Sequence, residues 1–472
     1  MRKYSENIKA TFFLGIASFL TSGINYLTTP FFTRILSTSE YGLISKYNSV
    51  YLIISVIATL TLSRPGILSV GLYEHKENRW KYLSTMLGEV LVSTVLSFAL
   101  LGVLWNSIRS IINIPFSLIL LIFVSCAVQP AMTFWTYKQR YEYKWKTTFA
   151  INVGTAILAQ AVSIVAVIWF KKRGSANLGQ VRLFSAAAVN LFASAFIYIL
   201  IIIKGKRFFD LVIWKKSFLF AIPLIPHYLG FALLTGTDKI MIGYMLGDDQ
   251  TGIYSLAAII STIGVLIWQA LCVSITPFVY ESLGKRDLKK IDALTKPLLE
   301  LVGLFCIAIS FLSPEIIAIL GTEEYLDAAY VVPAAAAGTF LHVLYDLFSN
   351  VAFFYKKSVH IMIATMAAAL INIVLNYFCI QKYGYIAAGY TTLFSYLALA
   401  VFHYGISRRL EPEKIFNWKY DAALSAIVIL ACLSSMFVYK INLLRYFTVL
   451  LLFVIVIVRR KKYISALGEM RV

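Results

Sequence analysis

Charge is scarce in this chain. Of its 472 residues, 14% are Asp, Glu, Lys or Arg, against about 25% in an ordinary soluble domain. With 60% of residues from the AVILMFWYC set, that deficit excludes a soluble enzyme, a disordered tail protein and a fibrous repeat. Cysteine is scarce too. Cys126, Cys272, Cys306, Cys379 and Cys432 are odd in number, lie in apolar runs and lack CxxC spacing. They read as small buried hydrophobes, which excludes a disulfide framework or a metal site. No P-loop, GxSxG, HExxH or carboxylate pair in a polar loop occurs, so the sequence offers no catalytic centre and no ATP hydrolysis. Long polar segments are missing as well. The longest connection between apolar runs, around 64–81, leaves no room for a soluble domain.

What the chain has instead is apolar runs of membrane-spanning length, about 20 residues each. Fourteen are predicted: 11–35, 43–63, 82–104, 116–135, 148–170, 183–203, 218–246, 252–280, 298–320, 331–354, 359–380, 386–406, 422–439 and 446–458. The fold class is therefore an all-α polytopic membrane protein with about 14 transmembrane helices. The N-terminus is basic, then apolar, with no small-residue cleavage site, and reads as a retained first span rather than a signal peptide.

The net charge of +20 follows the topology. With the N-terminus inside, 32 of the 43 Lys and Arg fall on the inner side and 9 on the outer, which predicts that both termini are cytoplasmic. The aromatic–basic segment 135–146 reads as an interfacial belt on anionic headgroups, not as a nucleic-acid site. One outer loop breaks the rule with Lys171, Lys172 and Arg173, and Arg182 opens the next span.

An internal repeat is visible at an offset of 210. Lys172, Gly174, Gly179, Leu183, Phe184 and Ser185 match Lys382, Gly384, Gly389, Leu393, Phe394 and Ser395. Leu36, Gly42 and Ser45 match Leu246, Gly252 and Ser255, and one residue further Glu89 matches Glu300. Six spans per copy imply two lobes of the same orientation. The predicted division is an N-terminal lobe 1–207, a C-terminal lobe 208–415 and two additional helices with a basic tail in 416–472. The glycines suit loops that need a positive φ or a close backbone approach.

Polar residues within the spans mark candidate sites. Ser18, Ser22, Asn25, Thr29 and Thr33 share one helical face of the first span, which either lines a water-filled cavity or packs against a neighbouring helix. Asp238 and Lys239 lie inside the seventh span, and Glu89, Glu300 and Asp346 inside the third, ninth and tenth. A charge at mid-bilayer costs at least ~2.5–3.5 kcal/mol on insertion scales, so these residues should face a cavity or a partner. For Glu89 and Glu300, snorkelling or a structural role is an equal alternative. Lys46 and Arg64 lie near span ends, as do Arg34 and Arg182. Pro223 and Pro226 should bend or unwind the seventh span and form a hinge; His227 beside them reads as a packing residue.

Three stretches carry a resemblance: TPFFTRILSTSEYGLIS (29–45), IPLIPHYLGFALLTGTDKIMIGYMLGDDQTGIYSLAAII (222–260) and NIVLNYFCIQKYGYIAAGYTTLFSY (372–396). They resemble the polysaccharide-biosynthesis flippases of the O-antigen type, within the multidrug/oligosaccharidyl-lipid/polysaccharide (MOP) exporter superfamily. The resemblance implies a two-lobed, fourteen-helix transporter of the bacterial cytoplasmic (inner) membrane. It would move undecaprenyl-pyrophosphate-linked oligosaccharide from the inner to the outer leaflet by alternating access, coupled to a gradient of H+ or Na+ and without a bound cofactor. Polysaccharide polymerase and other assembly proteins are the implied protein partners. Arg34, Asp238 and Lys239 match motif positions, as do Asn372 and Asn376, which also suit helix packing. Lys46, Arg64 and Arg182 are added to the cationic substrate set, and Asp238, Glu89, Glu300 and Asp346 are the candidates for ion coupling. A drug/cation antiporter of the same superfamily is the nearest alternative, and a membrane-embedded polysaccharide polymerase or glycosyltransferase the next.

Overall fold

Every regular element that the computed structural model describes is a helix. The described residues are 20–470, apart from 143, 412 and 414. Ser18 of the predicted polar face lies outside them, and the first predicted span is described only from residue 20. Twelve helices among the described residues are long and apolar enough to cross a membrane, or thirteen if the bent pair Glu323–Tyr330 and Val332–Phe354 is one span. Residues 20–35 form a further helix at the end of the first predicted span. The chain is a multi-pass membrane protein.

The chain divides into two compact units, Met1–Tyr244 and Met245–Val472. The division falls after Tyr244, whereas the repeat placed it after residue 207. The contacts thus group the seventh predicted span with the first unit. That unit contains α1 (20–35), α2 (Thr38–Ala58), α3 (Pro65–Glu74), α4 (Arg79–Ile112), α5 (Phe116–Val128), α6 (Pro130–Tyr141), α7 (Trp145–Lys172), α8 (Leu178–Gly205), α9 (Leu211–Ala221) and α10 (Ile225–Met245).

Local chemistry sets the ends of these helices. Ser37 caps α2 in a reciprocal box with Glu40, which satisfies two otherwise orphaned N–H groups. The same Glu40 reaches α8, where its Oε1 accepts from the N–H groups of Leu178 (2.6 Å) and Gly179 (3.2 Å). A carboxylate at a helix N-terminus is favoured by the macrodipole. Asp210 caps α9 in the same manner. Small residues then let backbones approach, as membrane helices require when apolar burial supplies no drive between them. A Cβ on Gly205 would stand 2.1 Å from Ser84 Oγ, and one on Gly88 would stand 2.1 Å from the Phe208 carbonyl. These glycines fix the approach of α4 to α8 and to the loop that follows it.

Two spans are broken, one where the sequence reading ran it straight and one where it expected the prolines to unwind it. The span 43–63 ends at Ala58 and resumes as α3 after a turn. The span 218–246 holds a 3-10 turn, Ile222–Leu224, between α9 and α10, at the site of Pro223 and Pro226. A proline ring cannot donate the helix bond and clashes with the preceding turn.

The second unit contains α11 (Asp248–Lys285), α12 (Leu288–Phe311), α13 (Ser313–Leu320), α14 (Val332–Phe354), α15 (Ser358–Tyr383), α16 (Ile386–Leu410), α17 (Trp418–Ser434) and α18 (Asn442–Glu469). Its core is α14, buried along nearly its whole length and packed against α11, α12, α16 and α17. The run Ala334–Gly338 explains the depth, since small side chains admit close neighbours; a Cβ on Gly338 would lie 3.5 Å from Leu393 Cα. By contrast α18 presents an apolar surface that stays largely exposed. It also continues through Arg459–Lys462, which the sequence reading assigned to a basic tail. The repeat has a local counterpart: Gly174 and Gly384 share a left-handed φ, +74° and +76°.

Candidate functional site

The α2–α3 break builds a cavity inside the first unit. Leu60 and Thr61 are successive left-handed residues, with φ of 49° and 56°. A non-glycine side chain resists this conformation by roughly 1–2 kcal/mol per residue, so surrounding bonds must hold it. They do so on both strands of the turn. Leu62 N donates to Thr59 O and Arg64 N to Thr61 O. From α4, Thr94 Oγ1 donates to Ala58 O at 3.0 Å, satisfying a carbonyl that the helix end leaves free. Pro65 then starts α3, where its missing N–H costs nothing.

The result is a polar cavity of about 330 Å³ in an apolar bundle. Hydroxyls of Ser55, Thr59, Thr61, Ser63 and Thr133 line it, together with the amides of Gln129 and Asn190. Thr61 Oγ1 and Ser63 Oγ are buried and have no partner in the structure, so their hydrogen-bonding capacity is free for a ligand. Arg64 supplies the charge. Its guanidinium lies 4.5 Å from the centroid of the Tyr228 ring of α10, and no described carboxylate pairs with it. None of the lining residues is Asp or Glu. The arrangement suits a hydroxyl-rich or anionic group.

The other predicted residues are dispersed. Arg182 stacks over the Phe32 ring at 3.8 Å, and Arg34, exposed, donates to Pro30 O at 3.0 Å. Lys46 is fully buried, and its Nζ donates to Asn113 O at 2.8 Å. Its charge therefore serves the C-terminus of α4, where the macrodipole favours a cation. The basic loop that breaks the charge rule has similar employment: Lys171 Nζ donates to Ile35 O at 3.2 Å, at the end of α1, and Arg173 covers the Trp169 ring at 3.6 Å. Asp238 is buried on α10 and Lys239 half-buried beside it, where Gly236 meets Ser49 of α2.

On α1 the polar stripe divides. Thr29 and Thr33 are buried and bond back to their own helix. Asn25 Oδ1, exposed, accepts from Gln160 Nε2 of α7 at 2.7 Å, and Ser22 is half-buried. Glu89 is buried between α4 and α9, beside Ser217. Glu300 forms ion pairs with Arg459 (2.8 Å) and Lys462 (3.3 Å) and accepts from Tyr420, tying α12 to α17 and α18. Asn372 and Asn376 are buried in a ladder with Thr391 and Thr392 that joins α15 to α16. Asp346 Oδ2 accepts from Trp268 Nε1 at 2.8 Å.

Comparison with known proteins fits this architecture. The family model described as polysaccharide biosynthesis protein matches residues 8–282. The chain belongs to that family. A second model, MatE, matches residues 223–378, and both lie within the MOP exporter superfamily. A relative in Haloferax volcanii, a probable low-salt glycan biosynthesis flippase, is 23% identical over 83% of this chain and 81% of its own length. The Lsg locus putative protein 1 of Haemophilus influenzae is 23% identical over 71% of this chain and 82% of its own. The lipid II flippase MurJ in an inward closed conformation shares the fold at a TM-score of 0.66 and 17% identity, over 94% of this chain and 98% of that one. An inward-facing multidrug resistance MATE family transporter gives 0.61 at 12% identity, over 85% and 96%. In this family member the sequence reading missed Thr61, Ser63, Gln129, Thr133 and Asn190. The signal available for the first two was the SRPG run at 63–66, a helix-breaking sequence inside an apolar stretch.

Proposed function

We propose that the chain is a transporter that flips undecaprenyl-pyrophosphate-linked oligosaccharide across the bacterial cytoplasmic membrane by alternating access. One observation carries the reading: a guanidinium and free hydroxyls line a cavity of about 330 Å³ without a carboxylate. A pyrophosphate or a sugar cannot enter hydrocarbon, whereas a prenyl tail can remain there. Arg64 would hold the anionic headgroup by charge-assisted bonds, and Ser, Thr, Asn and Gln side chains would meet sugar hydroxyls. Family membership and a flippase-named relative support the same substrate class. Arg34, Arg182 and Lys239, which lie outside this cavity, are assigned to other points on the headgroup's path, the interruption at Pro223 and Pro226 to the hinge, and Asp238 to gradient coupling with H+ or Na+. Both termini are assigned to the cytoplasm, and polysaccharide polymerase to the receiving side.

The MatE match favours one second reading, a drug/cation antiporter. Such a substrate needs an anionic site, and this cavity offers a cation. Vesicles containing the full chain and a lipid-linked oligosaccharide separate the two. Faster exposure of the sugar to an external glycosidase than in protein-free vesicles supports flipping. No acceleration under either gradient, with uptake of an organic cation instead, overturns it.

A further inference from the structure

Gln129 stands at the junction of α5 and α6, between Val128 and Pro130. Its side chain reaches the wall of the cavity, and its Oε1 accepts from the Tyr51 hydroxyl of α2 at 3.2 Å. Tyr51 is held in turn by its own helix, where its ring stacks on that of Tyr47 at 6.4 Å and 18°. A half-buried phenol needs an acceptor for its proton, and among the described residues Gln129 is the acceptor it has. The carbonyl end of the amide is therefore committed to Tyr51. The N–H groups at its other end bond to no described residue and remain for a ligand.

The other polar groups of the wall divide in a similar way. Ser55 Oγ donates to Leu52 O at 2.9 Å and Thr59 Oγ1 to Ser55 O at 2.7 Å, so toward the cavity both hydroxyls offer lone pairs only. Asn190 Nδ2 donates to Ala186 O at 3.0 Å, which leaves its Oδ1 to accept. Arg64 and Gln129 supply the fixed donors, while Thr61 and Ser63 can serve either way. A complementary ligand carries acceptor oxygens for the first pair and hydroxyl donors for Ser55, Thr59 and Asn190. A hydroxylated ring with an anionic substituent, as in a sugar phosphate or a sugar acid, meets both demands. The cavity of about 330 Å³ lies at the small end of the ~300–1,000 Å³ range of ligand sites and suits one such ring rather than a chain of them.

We propose that the cavity takes a single anionic sugar unit, and that Tyr51 is the positioning residue that makes it selective, by presenting Gln129 as a donor together with Arg64. The inference rests on the transport reading above and names the part of the substrate that this cavity reads. Without the Tyr51 hydroxyl the amide can turn and offer its carbonyl to the anionic oxygen, where two acceptors face each other and the bond is lost. A sugar phosphate would be the lipid-linked end of the substrate; a sugar acid would lie further along the chain.

The test is equilibrium binding by calorimetry to the full chain in lipid nanodiscs, with glucose, glucose 1-phosphate and glucuronate as probes. At least one anionic sugar should bind about tenfold tighter than glucose, through Arg64. Preference for glucose 1-phosphate assigns the cavity to the lipid-linked end, and preference for glucuronate assigns it to an acidic sugar. Tyr51→Phe keeps the ring and its stacking, and should weaken binding of the preferred probe about 3- to 10-fold, the worth of one neutral hydrogen bond. In a Gln129→Ala chain, Tyr51→Phe should have no further effect, because Tyr51 acts only through the amide; a merely structural Tyr51 would lower affinity in both backgrounds. Equal affinity for all the probes, no binding at millimolar concentration, unchanged binding in Tyr51→Phe, or additive losses in the double variant overturns the proposal. If Gln129→Ala fails to fold, Gln129→Met, of similar length, closes the same cycle. The expected binding pattern in a chain that flips no lipid-linked sugar in vesicles would defeat the transport reading and leave the sugar site standing. Flipping by a chain that lacks the pattern would defeat this proposal alone.

Discussion

Replacing Arg64 with Ala separates the proposed headgroup contact from the architecture around it. The guanidinium makes no side-chain cap to α3 and has no described carboxylate partner, so its loss strands no buried charge. What disappears within the protein is its contact with Tyr228 at 4.5 Å, about 1–2 kcal/mol for a cation over an aromatic ring when both are half-buried. The backbone bond from Arg64 N to Thr61 O remains available to Ala. The folded protein should therefore survive with a small fall in thermal midpoint.

The headgroup loses more. A hydrogen bond to a charged group contributes about 1.5–3 kcal/mol, and about 1.4 kcal/mol is one decade in an equilibrium constant. Arg64→Ala should weaken engagement of the lipid-linked sugar about 10- to 100-fold. Flipping in vesicles, measured below saturation and normalised to folded protein, reads this directly. Arg64→Lys keeps the charge and loses the planar fork that grips a phosphate through two bonds, so it should fall between wild type and Ala. A wild-type rate for the Ala variant at low substrate would refute the assignment of Arg64.

Other substitutions test the scaffold. Glu300→Gln removes the pairs to Arg459 and Lys462; since both cations are half-exposed, the expected cost is about 1 kcal/mol. A lower thermal midpoint that salt partly masks, with unchanged flipping per folded molecule, would assign Glu300 to structure; a gradient-uncoupled transporter would assign it to ion movement. Gly174→Ala should cost about 1 kcal/mol through backbone conformation alone, because its φ is +74° and open space surrounds it. Gly179→Ala should cost more, since the new Cβ would lie 2.9 Å from Glu40 O; equal midpoints for the two would contradict this. For Asp210, partial burial raises its pKa, but the Ile213 N–H, Arg207, the Val212 N–H and Lys81 outweigh it and hold the carboxyl below its usual 3.8. Its cap therefore stabilises the fold above the unfolded pKa and is lost as pH falls through the lower folded value. Asp210→Asn should flatten that part of the acid-dependent fall in thermal midpoint.

The membrane spans were legible because a 20-residue apolar run admits little else, and the turn glycines because left-handed backbone strongly selects for glycine. Charged residues were harder to interpret. Lys46, Arg64 and Arg182 share the same sequence context, a cation near the end of an apolar run. The fold gives one to a helix C-terminus, one to a cavity and one to the face of Phe32. Which of these a cation meets depends on the neighbouring helix, and a single helix's periodicity carries no information about that. Nor does a polar stripe say whether its neighbour is water or protein, which is why Thr29 and Asn25, one turn apart, end in different surroundings. The cavity residues were hidden for a further reason. Ser, Thr, Gln and Asn are ordinary components of helix packing in membranes, and they become a site only where a broken helix leaves space beside them. The break itself was written at Ser63–Gly66. In a bundle where most backbone groups are satisfied within their own helix, a left-handed turn held by neighbours is where polar groups can be spared for a ligand, so the SRPG run is the more specific pointer to function than any single charge.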